Sequence, residues 1–307
     1  LQYATSVIST YVLHPYRPRL KFNFRVLGEL LDYSVWVYGQ NLMGQIIGSL
    51  EDTLVGKFVG ATGLGLYGKA KSLAGGPITP ISSMISKIGF PAFARIQDDK
   101  AKISDGISKS FDIMLTVAAP FLAAVLLGGH KIVLIILGTR WIEIVPAFKI
   151  ITIGITLNVL TSIATPLFNA LGMPKTSFKL DTLFTASFIL SLIILVPPFG
   201  TIGAAWSLIA SSAVMLIATM GLAYKLSYVN LKHILSSAGI VIISTLATTL
   251  IGSFFLRTTF FNNNYGFVVI GTGLGLVYCA FVYAFGKYLK KGPTKTITVS
   301  IKEFFKS

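Results

Sequence analysis

The chain has 307 residues, of which 53% are hydrophobic and only 12% are charged, and its mean hydropathy is +0.76. This composition excludes a soluble globular domain, because such domains carry about 25% charged residues. The formal charge of +15 at pH 7 does not indicate a nucleic-acid partner, because the basic residues lie in short segments between apolar runs, as in a membrane protein.

Hydrophobic runs follow one another along the chain. A helix needs about 20 apolar residues to cross a hydrocarbon core of ~30 Å, and runs of about this length lie at 34–59, 72–94, 107–128, 142–168, 177–197, 201–224, 233–256 and 266–288. The sequence therefore predicts an all-α, polytopic membrane bundle with about eight transmembrane helices. Residues 1–13 are predicted to be the end of a helix whose beginning is missing.

Lysine and arginine residues indicate the orientation of the bundle. They are concentrated in alternate loops and in the carboxyl-terminal tail, whereas Lys57, Lys69 and Lys71 belong to a poorer set on the opposite side. Cytoplasmic loops carry an excess of such residues. We therefore expect both the amino-terminal connector and the tail on the cytoplasmic side of the cell membrane.

The first run carries polar residues on one narrow face. At about 100° per residue, this face holds Asn41, Gln45 and Asp52, with Glu51 beside it. An ionisable group inside a spanning helix costs about 2.5 to 3.5 kcal/mol, so these four residues are candidates for an ion-coupling or cavity role. The alternative is that Glu51 and Asp52 lie near the helix end and reach water there.

Two lysines lie inside later runs, Lys87 in the second and Lys149 in the fourth. A lysine at such a depth must extend to the interface, pair with an acid, or face water that a ligand can enter. In a cavity, its ammonium group would suit a phosphate-bearing substrate.

The sequence indicates neither a metal site nor a catalytic triad. The single cysteine, Cys279, lies in an apolar run, and the histidines, at positions 14, 130 and 233, sit at loops or run edges with no second ligand at metal spacing. A serine, histidine and acid set cannot be assembled either. We expect a carrier rather than an enzyme, with no metal site and no cofactor.

Several segments resemble one family. The residues that carry the first likeness are Asp52, Gly56, Lys57, Gly60, Leu64, Gly65, Tyr67 and Ala70. They are similar to a signature of polysaccharide-transport flippases, which belong to the multidrug/oligosaccharidyl-lipid/polysaccharide exporter superfamily. Supporting segments lie at 90–99, 137–150 and 169–178.

The resemblance implies a division of the chain. It is similar to the second half of a two-bundle, MATE-like carrier followed by two extra helices. On this basis, residues 1–33 hold the end of a truncated helix and a cytoplasmic connector, 34–224 the second six-helix bundle, 225–290 the two additional helices, and 291–307 a basic cytoplasmic tail.

The resemblance also implies a function. The full protein would flip a polyprenyl-diphosphate-linked oligosaccharide across the cytoplasmic membrane by alternating access, and a gradient of H⁺ or Na⁺ is the candidate for coupling. Lys57, Lys87 and Lys149 become candidates for binding the diphosphate. Besides this substrate, the implied partners are membrane lipids, a polysaccharide polymerase and glycosyltransferases. The alternatives are an ion-coupled exporter of small molecules and a membrane polysaccharide polymerase.

Overall fold

The computed structural model describes residues 24–255 and 264–289, and helices account for almost all of them. The helices are α1 (Phe24–Gly75), α2 (Thr79–Arg95), α3 (Lys100–Leu137), α4 (Val145–Thr161), α5 (Ala164–Ala170), α6 (Pro174–Lys225), α7 (Leu231–Phe255) and α8 (Asn264–Leu289). A 3₁₀ segment, Thr139–Ile144, joins α3 to α4. The all-α prediction is confirmed, whereas the expected helix end at 1–13 and the tail at 291–307 lie outside the described residues.

Helix α1 is a hairpin of two arms, residues 24–59 and 61–75. Sixteen residues of continuous helix would span about 24 Å, yet the hydroxyl of Tyr67 lies 2.7 Å from the carboxylate of Glu51. The chain reverses at Gly60, whose φ of 76° and ψ of 174° are not helical. Glycine suits this position because a φ in this range strains residues that carry a Cβ atom.

Helix α6 reverses in the same way at Gly200, whose φ is 57° and ψ is −134°. The backbone of Gly203 lies against the carbonyl of Leu195, which would be two turns away in a continuous helix. The two reversals meet, since a Cβ at Gly200 would lie 3.9 Å from Val59. The arms of α1 and α6 therefore turn at the same end of the bundle.

Two further helices are interrupted part-way. Helix α2 continues the second arm of α1 after a turn at 76–78, which contains Pro77, and α5 continues α4 after residues 162–163. The two continuations pack together, with Gly89 of α2 against Pro166 of α5. Both neighbouring helices are thus broken, and the segments beyond the breaks form a pair.

The buried core has two main parts. One lies between α1, α3, α4 and α6 and contains Val55, Tyr67, Phe148 and Phe188. The other lies between α2, α3, α5, α7 and α8 and contains Phe111, Met114, Ile163, Ile234 and Tyr278. Large apolar side chains also cover the outer surface, as a lipid environment requires, among them Ile194, Ile217, Leu250 and Leu276.

Four segments of the described chain are long and apolar enough to cross a membrane. They are Lys100–Leu137, Thr139–Ala170, Pro174–Lys225 and Leu231–Ser253. The chain is therefore a multi-pass membrane protein, as the composition predicts. The described helices overlap all eight predicted runs, and the reversals at Gly60 and Gly200 fall between runs. The boundaries differ, however, because residues 61–71, predicted to connect two runs, are helical, and the run at 72–94 is interrupted by the turn at 76–78.

Candidate functional site: a polar cavity beside the α1 hairpin

The hairpin of α1 brings three polar side chains together. Glu51, on the first arm, accepts hydrogen bonds from the hydroxyl of Tyr67, at 2.7 Å, and from Nζ of Lys71, at 2.5 Å, both on the second arm. Glu51 is only 2% exposed, whereas the side chain of Lys71 is 43% exposed. A buried carboxylate needs such donors, and the ammonium that supplies one of them also faces open space.

That space is a cavity of about 660 Å³ between α1, α2, α4 and α6. Its polar wall consists of Glu51, Lys71, Ser72, Thr79, Ser82 and Asn158. Its apolar wall includes Ile47, Ile155, Val159, Phe184, Phe188 and Leu208. The cavity thus offers hydroxyl and amide groups that can bond to a polyhydroxylated ligand and an ammonium that can bind an anion.

The four polar residues predicted to share a role in the first run lie on two different faces of the helix. Glu51 lines the cavity, but Asn41, Gln45 and Asp52 are exposed and do not line it. They lie about 100° around the helix from Glu51, on a face that the described residues leave uncovered. Their ion-coupling role stays a prediction.

The three predicted diphosphate lysines do not line this cavity either. Lys57 is exposed, with Nζ 5.9 Å from the centre of the Phe58 ring, and Lys87 is exposed on α2. Lys149 is half-buried, and its aliphatic chain packs on α3, where a Cβ at Gly129 would lie 3.1 Å from Cε. The cation that the structure places in the cavity is Lys71, and a diphosphate role for the other three stays a prediction.

Sequence reasoning missed Lys71 because its run was predicted to begin at residue 72. A signal was nevertheless present. Glu51 precedes Gly60 by nine residues and Lys71 follows it by eleven, so a reversal at this glycine puts the acid and the base at similar depth. A glycine midway between an acid and a base in an apolar region therefore indicates a helical hairpin in which the two charged side chains pair.

The motif segment at 169–178 holds the other end of α1. Asn169 and Gln40 exchange side-chain amide hydrogen bonds of 3.2 and 3.4 Å, and Gln40 also donates to the carbonyl of Pro174, at 3.1 Å. Tyr33 donates to the backbone carbonyl of Asn169. These bonds fix the start of the first arm on the turn between α5 and α6.

Comparison with known proteins agrees with the motifs. The sequence model of a family described as "Polysaccharide biosynthesis protein" matches residues 1–146. The chain is related to this family. The lipopolysaccharide biosynthesis protein WzxC of Escherichia coli (strain K12) is 26% identical over 192 residues, which cover 61% of this chain and 38% of WzxC.

A second relative is the teichuronic acid biosynthesis protein TuaB of Bacillus subtilis (strain 168). It is 23% identical over 191 residues, which cover 62% of this chain and 40% of TuaB. The chain thus corresponds to about two fifths of the length of these relatives. The predicted resemblance to the polysaccharide flippase family is confirmed.

A solved structure shows the same fold. The lipid II flippase MurJ, in an inward closed conformation, superposes with a TM-score of 0.69 at 18% identity, over 94% of this chain and 60% of that chain. The described bundle therefore has a MurJ-like fold. MurJ itself is a flippase, which is a transporter and not an enzyme.

Proposed function

We propose that the chain forms one half of the pathway by which a flippase moves a polyprenyl-diphosphate-linked oligosaccharide across the cytoplasmic membrane for surface polysaccharide assembly. The likeness to polysaccharide biosynthesis proteins and the MurJ-like fold support a polysaccharide flippase. The observation that supports a diphosphate-containing substrate is the position of Lys71. This cation is paired with a buried carboxylate in the wall of a polar cavity.

The cavity matches the two polar parts of such a substrate. Ser72, Thr79, Ser82 and Asn158 can exchange hydrogen bonds with sugar hydroxyls, and Lys71 can donate to the diphosphate. Phe184 and Phe188 add apolar faces on which sugar rings can pack. A sugar diphosphate would bind less well in a cavity whose wall was entirely polar or entirely apolar.

Glu51 and the substrate compete for Lys71. When the cavity is empty, Glu51 occupies one of the three ammonium donors, and an incoming diphosphate takes the others or displaces the carboxylate. A proton that neutralises Glu51 weakens its hold on Lys71 and favours the phosphate. Glu51 is thus the group through which an H⁺ gradient would be coupled to substrate binding.

The proposed architecture has eight spans, with both termini in the cytoplasm. The arms of α1 and α6 supply four spans, the second of which continues into α2, while α3 and α4 with α5 supply two more. Helices α7 and α8 are the additional pair. Rocking of this bundle against a companion bundle would expose the cavity to either side in turn.

The test is transport of a lipid-linked oligosaccharide by the full-length protein in liposomes. We expect Lys71→Ala to lower the rate at least about tenfold, since a charge-assisted hydrogen bond is lost, and Lys71→Arg to retain most of it. Lys179→Ala, which removes an exposed lysine of α6, is the matched control and should leave transport unchanged.

Wild-type transport by Lys71→Ala would overturn the proposal. So would transport of an organic cation that requires Glu51 but proceeds without any lipid-linked sugar, because that result identifies a small-molecule exporter.

A further inference from the structure

A second cavity lies on the other side of the second arm of α1. It has a volume of about 420 Å³ between α1, α3 and α4. Its walls are apolar and are formed by Leu73, Phe121, Ile132, Ile136, Leu137 and Phe148. In contrast to the polar cavity, only Lys69 and Ser72 among its lining side chains can form hydrogen bonds, so a hydrocarbon chain suits most of its wall.

The two cavities adjoin. Ser72 and Gly76 line both of them, so a strip of small residues, at the end of α1 and the start of the following turn, separates the polar space from the apolar one. The strip ends at the turn at 76–78, where α1 gives way to α2. A ligand that lies across this strip can place one end in each cavity.

Cations flank the strip. Lys71 lines the polar cavity and Lys69 lines the apolar one, because two residues in a helix point about 200° apart. Nζ of Lys69 lies 5.7 Å from the centre of the Trp141 ring, in cation–π range. A ligand whose polar and apolar parts are joined by an anionic group would therefore find a suitable surface for each part: the polar cavity, the two lysines and the apolar cavity.

We propose that the apolar cavity binds the segment of a polyprenyl tail nearest the diphosphate, with the diphosphate over Ser72 and Gly76 between Lys69 and Lys71. The sugars then occupy the polar cavity. This assignment rests on the proposed function and adds a binding site for the lipid part of the substrate.

The test uses the full-length protein in lipid nanodiscs and a lipid-linked oligosaccharide with a photoreactive group on its first isoprene units. Adducts are mapped by mass spectrometry, with and without an excess of unlabelled substrate. We expect saturable adducts on the walls of the apolar cavity, around residues 132–137. Phosphatidylglycerol in the same excess should not displace them.

A pair of neighbouring variants makes the test specific. Ile136 lines the cavity and Ile135 does not, although both are exposed on α3. Ile136→Trp should fill the space and lower the saturable labelling about fivefold or more, whereas Ile135→Trp should leave it unchanged.

The outcomes separate the two proposals. Saturable labelling confined to other helices, or displaced equally by phosphatidylglycerol, would overturn the tail site and leave the flippase proposal intact. Absence of saturable labelling anywhere, with Lys71→Ala transporting normally, would overturn the proposed function itself.

Discussion

The carboxylate of Glu51 and the ammonium of Lys71 lie 2.5 Å apart, although 20 residues separate them in the chain. The reversal of α1 at Gly60 creates this contact. Because Glu51 is buried and Lys71 is not, the pair presents a positive charge to the cavity while its negative charge stays inside the protein. The pair is thus both a structural contact between two arms and a candidate anion site.

The energetic coupling of this pair can be measured. Lys71→Met should destabilise the protein, because it leaves the buried carboxylate of Glu51 with fewer donors, and a second change, Glu51→Gln, should recover part of the loss. We expect a coupling free energy of about 1 kcal/mol, at the low end for buried pairs because Lys71 is partly exposed. Thermal unfolding of the two single variants and the double variant measures it, and additive losses would contradict the contact.

The reversal itself predicts a contrast between two glycines of α1. Gly60→Ala should destabilise the protein by about 1 to 2 kcal/mol, because its φ of 76° is strained for alanine. Gly65 is helical, and an added Cβ there meets nothing within 4 Å, so Gly65→Ala should be neutral or stabilise by up to about 1 kcal/mol. Equal effects in unfolding experiments would argue against a reversal at Gly60.

A second buried acid holds α7 on α3. Oδ2 of Asp112, which is fully buried, lies 3.0 Å from Nε2 of His233, which is 29% exposed. Removing the imidazole by His233→Ala should cost about 1 to 3 kcal/mol, since it takes a hydrogen-bond partner from a buried carboxylate. Asp112→Asn combined with His233→Gln should restore part of this stability, and protease cleavage between α6 and α7 offers an independent readout of docking.

The beginning of α3 predicts a dependence on pH. The backbone N–H groups of Lys102 and Ala101 donate to the carboxylate of Asp99, at 3.1 and 3.0 Å, and lower its pKa. A lowered pKa in the folded protein means that the cap stabilises the helix above the unfolded pKa, near 4, and that this stability is lost as pH falls below that value. Asp99→Asn should keep a cap and reduce the pH dependence of the melting temperature between about pH 5 and pH 3, and an unchanged profile would contradict this role.

Much of the fold could be predicted from the sequence because length and apolarity determine a membrane helix. The predicted runs overlap the observed helices, although the runs at 72–94 and 142–168 are each interrupted, and the ionisable residue Glu51 indicates an interior polar site. The predictions were weaker at the edges of the runs. Lys69 and Lys71 were assigned to a loop because of their charge, whereas the structure pairs Lys71 with Glu51 and places Lys69 near Trp141.

Long-range pairing could not be read from single segments. The sequence places His233 at a loop or run edge, but the structure pairs it with Asp112, a completely buried acid 121 positions away. Likewise, the amide pair of Gln40 and Asn169 joins helices that are distant in sequence. Such contacts depend on how helices pack, and local periodicity contains no information about their partners.

The central claim is that the cavity beside Lys71 is a water-accessible site for a sugar diphosphate. The most direct measurement is the labelling of Thr79→Cys by a membrane-impermeant maleimide in the full-length protein. The background variant is Cys279→Ser, which removes the cysteine of this chain. The control is Ser83→Cys, an exposed position that does not line this cavity. We predict that Thr79→Cys is labelled, that an oligosaccharide diphosphate without a lipid tail protects it but not Ser83→Cys, and that Lys71→Ala abolishes this protection. A Thr79→Cys variant that is never labelled, or whose protection survives Lys71→Ala, would contradict the account.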